Sequence, residues 1–227
     1  YYFNTGFGQG LKHFSYNCSA TYTKIGDRNA PSYMLTNSGK EETAVSGGLR
    51  YNKGQFDFNV YYSFVDQNLG IYRTAIAESG ASLIRALSSD TPLFEKPFSY
   101  EINEPNQLTK HHLAKGEIEW FYSEEGSLKL RVGSQLNKRK EYDVRRDAYL
   151  PIIDLNLTTN DYQLEWNHPK YGQFEGKTGL QGFGQNNDNN PGTGTTPFIP
   201  NYNTTRYSGF IIERLKKEKT TYELGAR

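Results

Sequence analysis

The constraint that governs this chain is a two-residue alternation of apolar and polar side chains. Between residues 55 and 66, Phe56, Phe58, Val60, Tyr62 and Phe64 share one parity, and Gln55, Asp57, Asn59, Tyr61 and Ser63 share the other. Successive side chains of a strand point to opposite faces, so this segment has one greasy face and one wet face. Residues 127 to 137 repeat it, with Leu128, Leu130, Val132 and Leu136 set against Lys129, Arg131, Gln135 and Asn137. Further copies run through Phe14, Tyr16, Cys18, Ala20 and Tyr22, through Val45, Leu49 and Tyr51, and through Ile118, Trp120 and Tyr122. Later copies are Tyr162, Leu164 and Trp166, then Phe174 and Leu180, then Tyr222, Leu224 and Ala226; Phe210-Ile211-Ile212 blurs the phase near 206–214. The pattern predicts an all-β fold of ten antiparallel strands, near 1–8, 12–25, 43–52, 55–66, 108–122, 126–138, 158–168, 173–185, 205–215 and 220–227.

The connections sort into two kinds that alternate along the chain. Short turns are Gln9-Gly10-Leu11, Lys53-Gly54, Ser123-Glu124-Glu125, the bend His168-Pro169-Lys170-Tyr171-Gly172, and Lys216-Lys217-Glu218-Lys219. Long loops span 26–42, 67–107, 139–157 and 186–204. A transmembrane β-barrel places short periplasmic turns at one end and long extracellular loops at the other. Strands of roughly 10 to 13 residues, tilted near 40°, also cover its apolar band of about 25 Å. Soluble sandwiches and soluble barrels alternate too, but their strands are commonly five or six residues. The apolar parity here is rich in aromatics, with Tyr22, Tyr51, Trp120, Tyr122, Trp166 and Tyr222 near strand ends, as an interfacial girdle requires. Residues 1–227 therefore read as part of one barrel domain, and 67–107 as a long extracellular loop. Within that loop, residues 74–88 have helical spacing (Ile76, Leu83, Leu87), with Gly80 as a weak point.

Composition narrows the function. Lys plus Arg number 26 against 25 Asp plus Glu, so no global field draws nucleic acid. One cysteine, Cys18, excludes an intrachain disulfide framework and a Cys-based zinc cage. No apolar run is long enough for a transmembrane helix. A hydrophobic fraction of 35% with 18 Tyr and 13 Phe suits neither an ordinary soluble core nor disorder. Both ends read as strand interiors, so the chain is expected to be a piece of a longer polypeptide.

The stretch Asn190-Pro191-Gly192-Thr193-Gly194-Thr195-Thr196-Pro197-Phe198-Ile199-Pro200-Asn201-Tyr202 resembles a loop of TonB-dependent outer-membrane receptors. Gly209-Phe210-Ile211-Ile212-Glu213-Arg214 and Tyr222-Glu223-Leu224-Gly225-Ala226-Arg227 resemble the next two strands of that family. Asn137-Lys138-Arg139-Lys140-Glu141-Tyr142-Asp143 leading to Leu155-Asn156-Leu157-Thr158-Thr159 is similar, as is Phe98-Ser99-Tyr100-Glu101-Ile102-Asn103 through His111-His112-Leu113. The resemblance covers most of the chain from about residue 45. It implies a large plugged barrel of the Gram-negative outer membrane that binds a scarce nutrient outside and imports it with energy from the TonB complex. Ferric siderophores are the commonest cargo; cobalamin, haem and glycans are others. Large plugged transporters need about 22 strands, so ten are under half of one, and the plug and TonB-contacting segment lie outside these residues.

No residue pattern here carries catalysis, and no cofactor is expected. Gly6-Phe7-Gly8-Gln9-Gly10 lacks the strand–helix setting of a nucleotide fingerprint and reads as a turn; Gly192-Thr193-Gly194-Thr195-Thr196 lacks the Lys of a phosphate loop. His13, His111, His112 and His168 are scattered, and the Asn186–Asn190 tract has one carboxylate, too few for strong calcium binding. The patch that stands out is basic: Lys138, Arg139, Lys140, Arg145 and Arg146 with Tyr142 and Tyr149, on a predicted extracellular loop. Arg donates in a fork to carboxylate, phosphate or catecholate oxygens and Tyr adds stacking area. Arg139, Tyr142, Arg145, Arg146 and Tyr149 are the candidate ligand-binding residues for an anionic ferric siderophore. Lipopolysaccharide phosphates, or the loop's own Glu141, Asp143 and Asp147, are the competing partners. Lys129, Arg131, Glu117, Glu119, Glu165, Glu175 and Lys177 are expected to line a lumen, against a plug or water. Other readings are a self-contained outer-membrane barrel, enzymatic or porin-like, and a soluble secreted glycan-binding β-protein.

Overall fold

The computed structural model describes residues 1–73, 79–145, 147 and 149–227. Its frame is one antiparallel sheet of ten strands in sequence order. They are β1 (Tyr2–Gly10), β2 (Phe14–Ile25), β5 (Lys40–Lys53), β6 (Phe56–Gly70), β7 (Asn106–Phe121), β8 (Ser127–Tyr142), β9 (Ile153–Tyr171), β10 (Phe174–Asn189), β11 (Tyr202–Lys216) and β12 (Thr221–Ala226). A two-residue pair, β3 (Arg28–Asn29) with β4 (Met34–Leu35), sits in the first long loop. Every neighbour along the chain is a neighbour in the sheet, so all short turns lie at one end and all long loops at the other. β1 and β12 do not pair with each other, and the sheet is open rather than closed into a barrel.

The strands outrun the lengths predicted from hydrophobic alternation, mostly at the long-loop end. Pairing there continues through polar neighbours: Gln67 Nε2 donates to Glu42 at 2.6 Å, Gln185 Nε2 to Thr159 at 2.9 Å, and Tyr202 OH to Gln185 at 2.8 Å. Such pairs hold a ladder but leave no apolar signal. The bend expected at 168–172 is instead the end of β9, with a bulge opposite Phe174–Gly176 and the turn made at Gly172, φ 63°. Gly6–Gly10 lies inside β1, not in a turn; a Cβ on Gly8 would stand 2.9 Å from the Tyr16 carbonyl oxygen. Helix α1 covers Gly80–Leu87 only. Gly80 opens it behind a Ser79–Ser82 capping box, so it is a first-turn residue rather than an interruption. Residues 74–78 of the predicted helix lie outside the described residues.

The register sorts the side chains into two contrasting faces. Phe58 lies opposite Tyr51 and Ile118, Val60 opposite Leu49 and Gly116, and Leu164 opposite Leu130 and Leu180. This apolar face is exposed across the sheet, at Leu49, Val60, Tyr62, Leu130, Val132, Leu164, Leu180 and Ile211 among others. Rings crowd its short-turn rim: Phe56 stacks on Trp120 with centroids 6.4 Å apart, Tyr51 meets Phe58 at 6.3 Å, and the Trp166 indole N–H donates to Tyr122 OH at 2.7 Å.

The opposite face carries charge in cross-strand pairs. Arg50 bonds Asp57; Lys129 reaches Glu119 at 2.7 Å; Arg131 reaches Glu117 at 2.6 Å; Lys177 reaches Glu165 at 3.3 Å; Lys216 reaches Glu175 at 2.6 Å; Arg214 bonds Glu223. The seven residues expected to line a lumen are thus neutralised largely by one another. The Arg227 guanidinium donates to Gln181 at 2.9 Å across the intervening β11, so side chains on this face converge.

Burial is the reverse of a soluble domain's. Among the described residues Leu155 is the one buried hydrophobic, while Thr23, Asp27, Thr36, Asn37, Asn106, Ser127, Asp143, Glu165 and Asn187 are buried. The accessible surface is 15011 Å² for 25.9 kDa, against about 10500 Å² for a compact protein of that mass. No described helix is long and apolar enough to cross a membrane.

Candidate functional site

The long loops at one end of the sheet are where chemistry-bearing side chains gather, and two asparagine systems hold them. In the first, Asn37 sits at φ 64°, a conformation Asn tolerates better than most residues. Its amide donates to the carbonyls of Ile71, Asn103 and Pro105 at 3.0, 2.9 and 2.8 Å, and its Oδ1 accepts from Asn103 N–H at 2.9 Å. One buried side chain therefore ties the loop after β2 to both ends of the β6–β7 loop. Gly70 is obligatory beside it, because a Cβ there would fall 2.5 Å from the Asn37 carbonyl oxygen. Asp27 reinforces the joint, accepting from Ser38 N–H while its own N–H donates to Ser99.

The second system uses the Asn186–Asn190 tract. Asn187 and Asn189 lie on the charged face and donate to the carbonyls of Pro200 and Ile199 at 3.0 and 2.8 Å, folding the 190–201 loop back over that face. Asn190 bonds Asp154 at 2.6 Å, and Thr195 Oγ1 donates to Ile152 O at 2.7 Å, so the same loop is tied to the 143–152 loop. Asn187, Asn189 and Asn190 enter these bonds as amide donors, while Asp188, the tract's one carboxylate, accepts from Asn201 at 3.3 Å and Asn190 Oδ1 from Asn156 at 3.1 Å. Among the described residues no group of three or more His, Cys, Asp or Glu converges.

Two of the candidate ligand residues, Arg139 and Tyr142, do not share a face. Arg139 and Tyr142 belong to β8 rather than to a loop, and their opposite parity places Arg139 on the charged face and Tyr142 on the other. The basic charges are largely partnered: Arg139 donates to Glu141 at 2.9 Å, Lys140 pairs with Asp154 at 3.1 Å, and Arg145 with Asp143 at 2.5 Å. Burial pushes the Asp143 carboxyl up, but hydrogen bonds from the Arg145 guanidinium and N–H, with the charges of Arg145 and Arg73, outweigh it and hold the group below the ordinary carboxylate range. Tyr149 stands 90% exposed at a loop tip, and Arg146 lies outside the described residues.

A cavity of about 240 Å³ lies under the folded-back loop, and Arg139 is the one candidate ligand residue that lines it among those described. Its wall is apolar, from Ile152, Ile153, Leu155, Pro197 and Ile199, with Phe198 also lining it while 92% exposed. Arg139, Leu155 and Asn189 are successive cross-strand neighbours on the charged face, so the cavity opens at the long-loop end of that face. Of the histidines, His111 and His112 face opposite sides of β7; His112 lies 2.8 Å from Tyr62 OH and His111 3.3 Å from Asn137. Cys18 is exposed on the apolar face, opposite Phe7 and Gly47. The signals that could have located the first joint were local, Asn37-Ser38-Gly39 as a turn triplet; nothing in the sequence marked the cavity. No protein-family model matches the chain, and no curated protein matches it in sequence.

Proposed function

We propose that the chain is part of the wall of a TonB-dependent outer-membrane receptor, which binds a scarce nutrient at its long loops and imports it. The observation that carries this reading is the inversion of the sheet: exposed apolar side chains on one face and half-buried, paired charges on the other. Water rewards the opposite arrangement, since apolar area left in water costs about 25 cal/mol per Å². A lipid-facing wall and a polar interior reward this one. From Phe56 to Phe64 the apolar run spans about 26 Å along the strand and about 20 Å along the membrane normal at a 40° tilt. Rings at its short-turn rim sit where interfacial aromatics anchor a barrel.

The chain acts by recognition rather than by catalysis, in the outer membrane of a Gram-negative cell, among lipid and lipopolysaccharide. The open edges of β1 and β12 pair with the remaining strands of the barrel, and the TonB complex is engaged through other parts of the polypeptide. A ferric siderophore is the cargo the resemblance favours, met at the long-loop end, where Arg139 stands on the charged face and Arg145 and Tyr149 lie in the 143–152 loop. Fractionation tests the reading: the protein should sediment with outer membranes and run as a heat-modifiable band. Deletion should abolish growth on at least one ferric siderophore as iron source. A protein recovered in the soluble fraction refutes it.

A further inference from the structure

We infer that the outward face of β7 and β8 carries a site for a phosphate group borne by an outer-leaflet lipid, formed by Lys110, Lys138 and Lys140. The inference rests on the reading of the apolar face as lipid-facing and adds to it a lipid of defined chemistry. Register brings the three lysines together. Lys110 lies directly opposite Lys138, and Lys140 follows on the same face of β8. All three are exposed. Like charges directly opposite one another destabilise a strand pair, so an anion between them is favoured. Asp66 reaches Lys110 at 3.2 Å and Asp154 reaches Lys140 at 3.1 Å, but no carboxylate among the described residues pairs with Lys138. Three lysines against two aspartates leave one positive charge unmatched.

Parity puts this cluster on the apolar side of the sheet. Lys110 shares its face with His112 and Trp120, and Lys138 and Lys140 share theirs with Leu130, Val132 and Leu136, whereas Arg139 turns to the charged face. A ligand held on the charged face therefore does not meet these lysines. Height is the second argument. Trp120, in the ring cluster of the short-turn rim, stands about 33 Å along β7 from Lys110, or about 25 Å along the membrane normal at a 40° tilt. That is the height of a barrel's whole apolar band. Just below the lysines, Phe64 packs on His112 with ring centroids 4.7 Å apart, and Tyr62 OH lies 2.8 Å from His112, as a second aromatic rim would. The lysines thus fall at headgroup level, where the anion on offer is a lipid phosphate. Lys is a compact charge with three rotatable donors, which suits a tetrahedral phosphate and needs no planar fork.

The test uses native mass spectrometry on the full-length protein in a neutral, phosphate-free detergent. Lipid A with both phosphates is the probe, its dephosphorylated form the comparator, and inorganic phosphate the competitor. A lysine near an anionic lipid is worth about fivefold in affinity, so Lys110→Gln combined with Lys138→Gln should weaken lipid A binding about 30-fold and leave the comparator unchanged. Wild-type protein should prefer lipid A to the comparator by at least about the same factor, and inorganic phosphate at equal phosphate concentration should not displace it. The double variant loses two facing charges and no packing, so it is expected to stay folded, which heat-modifiable gel mobility checks. Lys170→Gln, at the short-turn end of β9, should bind lipid A as the wild type does. Equal binding of lipid A and comparator overturns the inference, as does a double variant that loses no more than Lys170→Gln. Displacement by inorganic phosphate overturns the lipid as the source. Any of these results in a protein that fractionates with outer membranes leaves the receptor standing, whereas recovery in the soluble fraction refutes the reading on which the site rests.

Discussion

Arg at position 60 separates a lipid-facing sheet from a water-facing one. Val60 is 52% exposed, midway along the run from Phe56 to Phe64, with Leu49 and Gly116 beside it. Gly116 leaves room for a longer side chain, so Val60→Arg brings little steric strain. The centre of the run lies about 13 Å along the strand from either end, or about 10 Å along the membrane normal. An extended Arg side chain falls short of that distance, and snorkelling relieves it only in part. A midplane Arg on the lipid face costs about 2–4 kcal/mol, a change of about 30- to 900-fold in the folding equilibrium, whereas near the interface the cost falls to about 0–1 kcal/mol. Thr43, on the same face at the long-loop end opposite Tyr22 and Asp66, supplies the shallow control. Equilibrium unfolding in guanidinium from lipid vesicles, read by tryptophan emission and gel mobility, measures both variants of the full-length protein. Equal costs below about 0.5 kcal/mol, the size of an ordinary surface substitution, would refute the argument that this face meets lipid.

The other predictions concern the loops and the interior. Asn37→Asp removes the donor amide that three carbonyls share and should raise hydrogen exchange at the Ile71 and Asn103 amides at least tenfold, with loss of about 2–4 kcal/mol of local stability; unchanged exchange would remove Asn37 from the joint. Gly70→Ala, whose Cβ would meet the Asn37 carbonyl at 2.5 Å, should loosen the same amides while the Asn37 side chain stays unaltered in chemistry. Asp143 has a folded pKa below its unfolded value, so its contribution is complete above the unfolded carboxylate pKa of about 3.9 and is lost as pH falls through the folded one. Exchange at the Arg145 amide, which donates to Asp143 at 2.9 Å, should accordingly stay level relative to Asp143→Asn above about pH 5, one unit above that pKa, and rise in acid. Glu117→Gln should cost about 1 kcal/mol or less, because Arg131 and Lys129 keep other carboxylates in reach on a half-exposed face.

Periodicity made the sheet legible because each strand has only one wet and one greasy side. Phe56 to Phe64 announced β6 without help, and the alternation of short and long connections put every turn at one end. It under-read strand length for the same reason. Above the apolar band the ladder is kept by amides, hydroxyls and ion pairs such as Lys140 with Asp154, which alternate in no hydrophobic sense. Within β1, glycines that resemble a turn in composition were needed for close approach to β2. The basic loop was visible as charge but not as geometry. Sequence cannot show that Arg145 folds onto Asp143, or that Arg139 turns to the opposite face from Tyr142. The cavity depends on the 190–201 loop folding back through Asn187 and Asn189, a tertiary event with no periodic trace.

Cys18 offers the most direct test of the central claim, because this chain's single cysteine is exposed on the apolar face, opposite Phe7 and Gly47. A nitroxide attached there in the full-length protein, reconstituted into bilayers, reports its surroundings through relaxation by oxygen and by a polar nickel chelate. The account predicts strong relaxation by oxygen and little by nickel, the signature of hydrocarbon. Dominant relaxation by the nickel chelate would place this face in water and contradict the membrane wall.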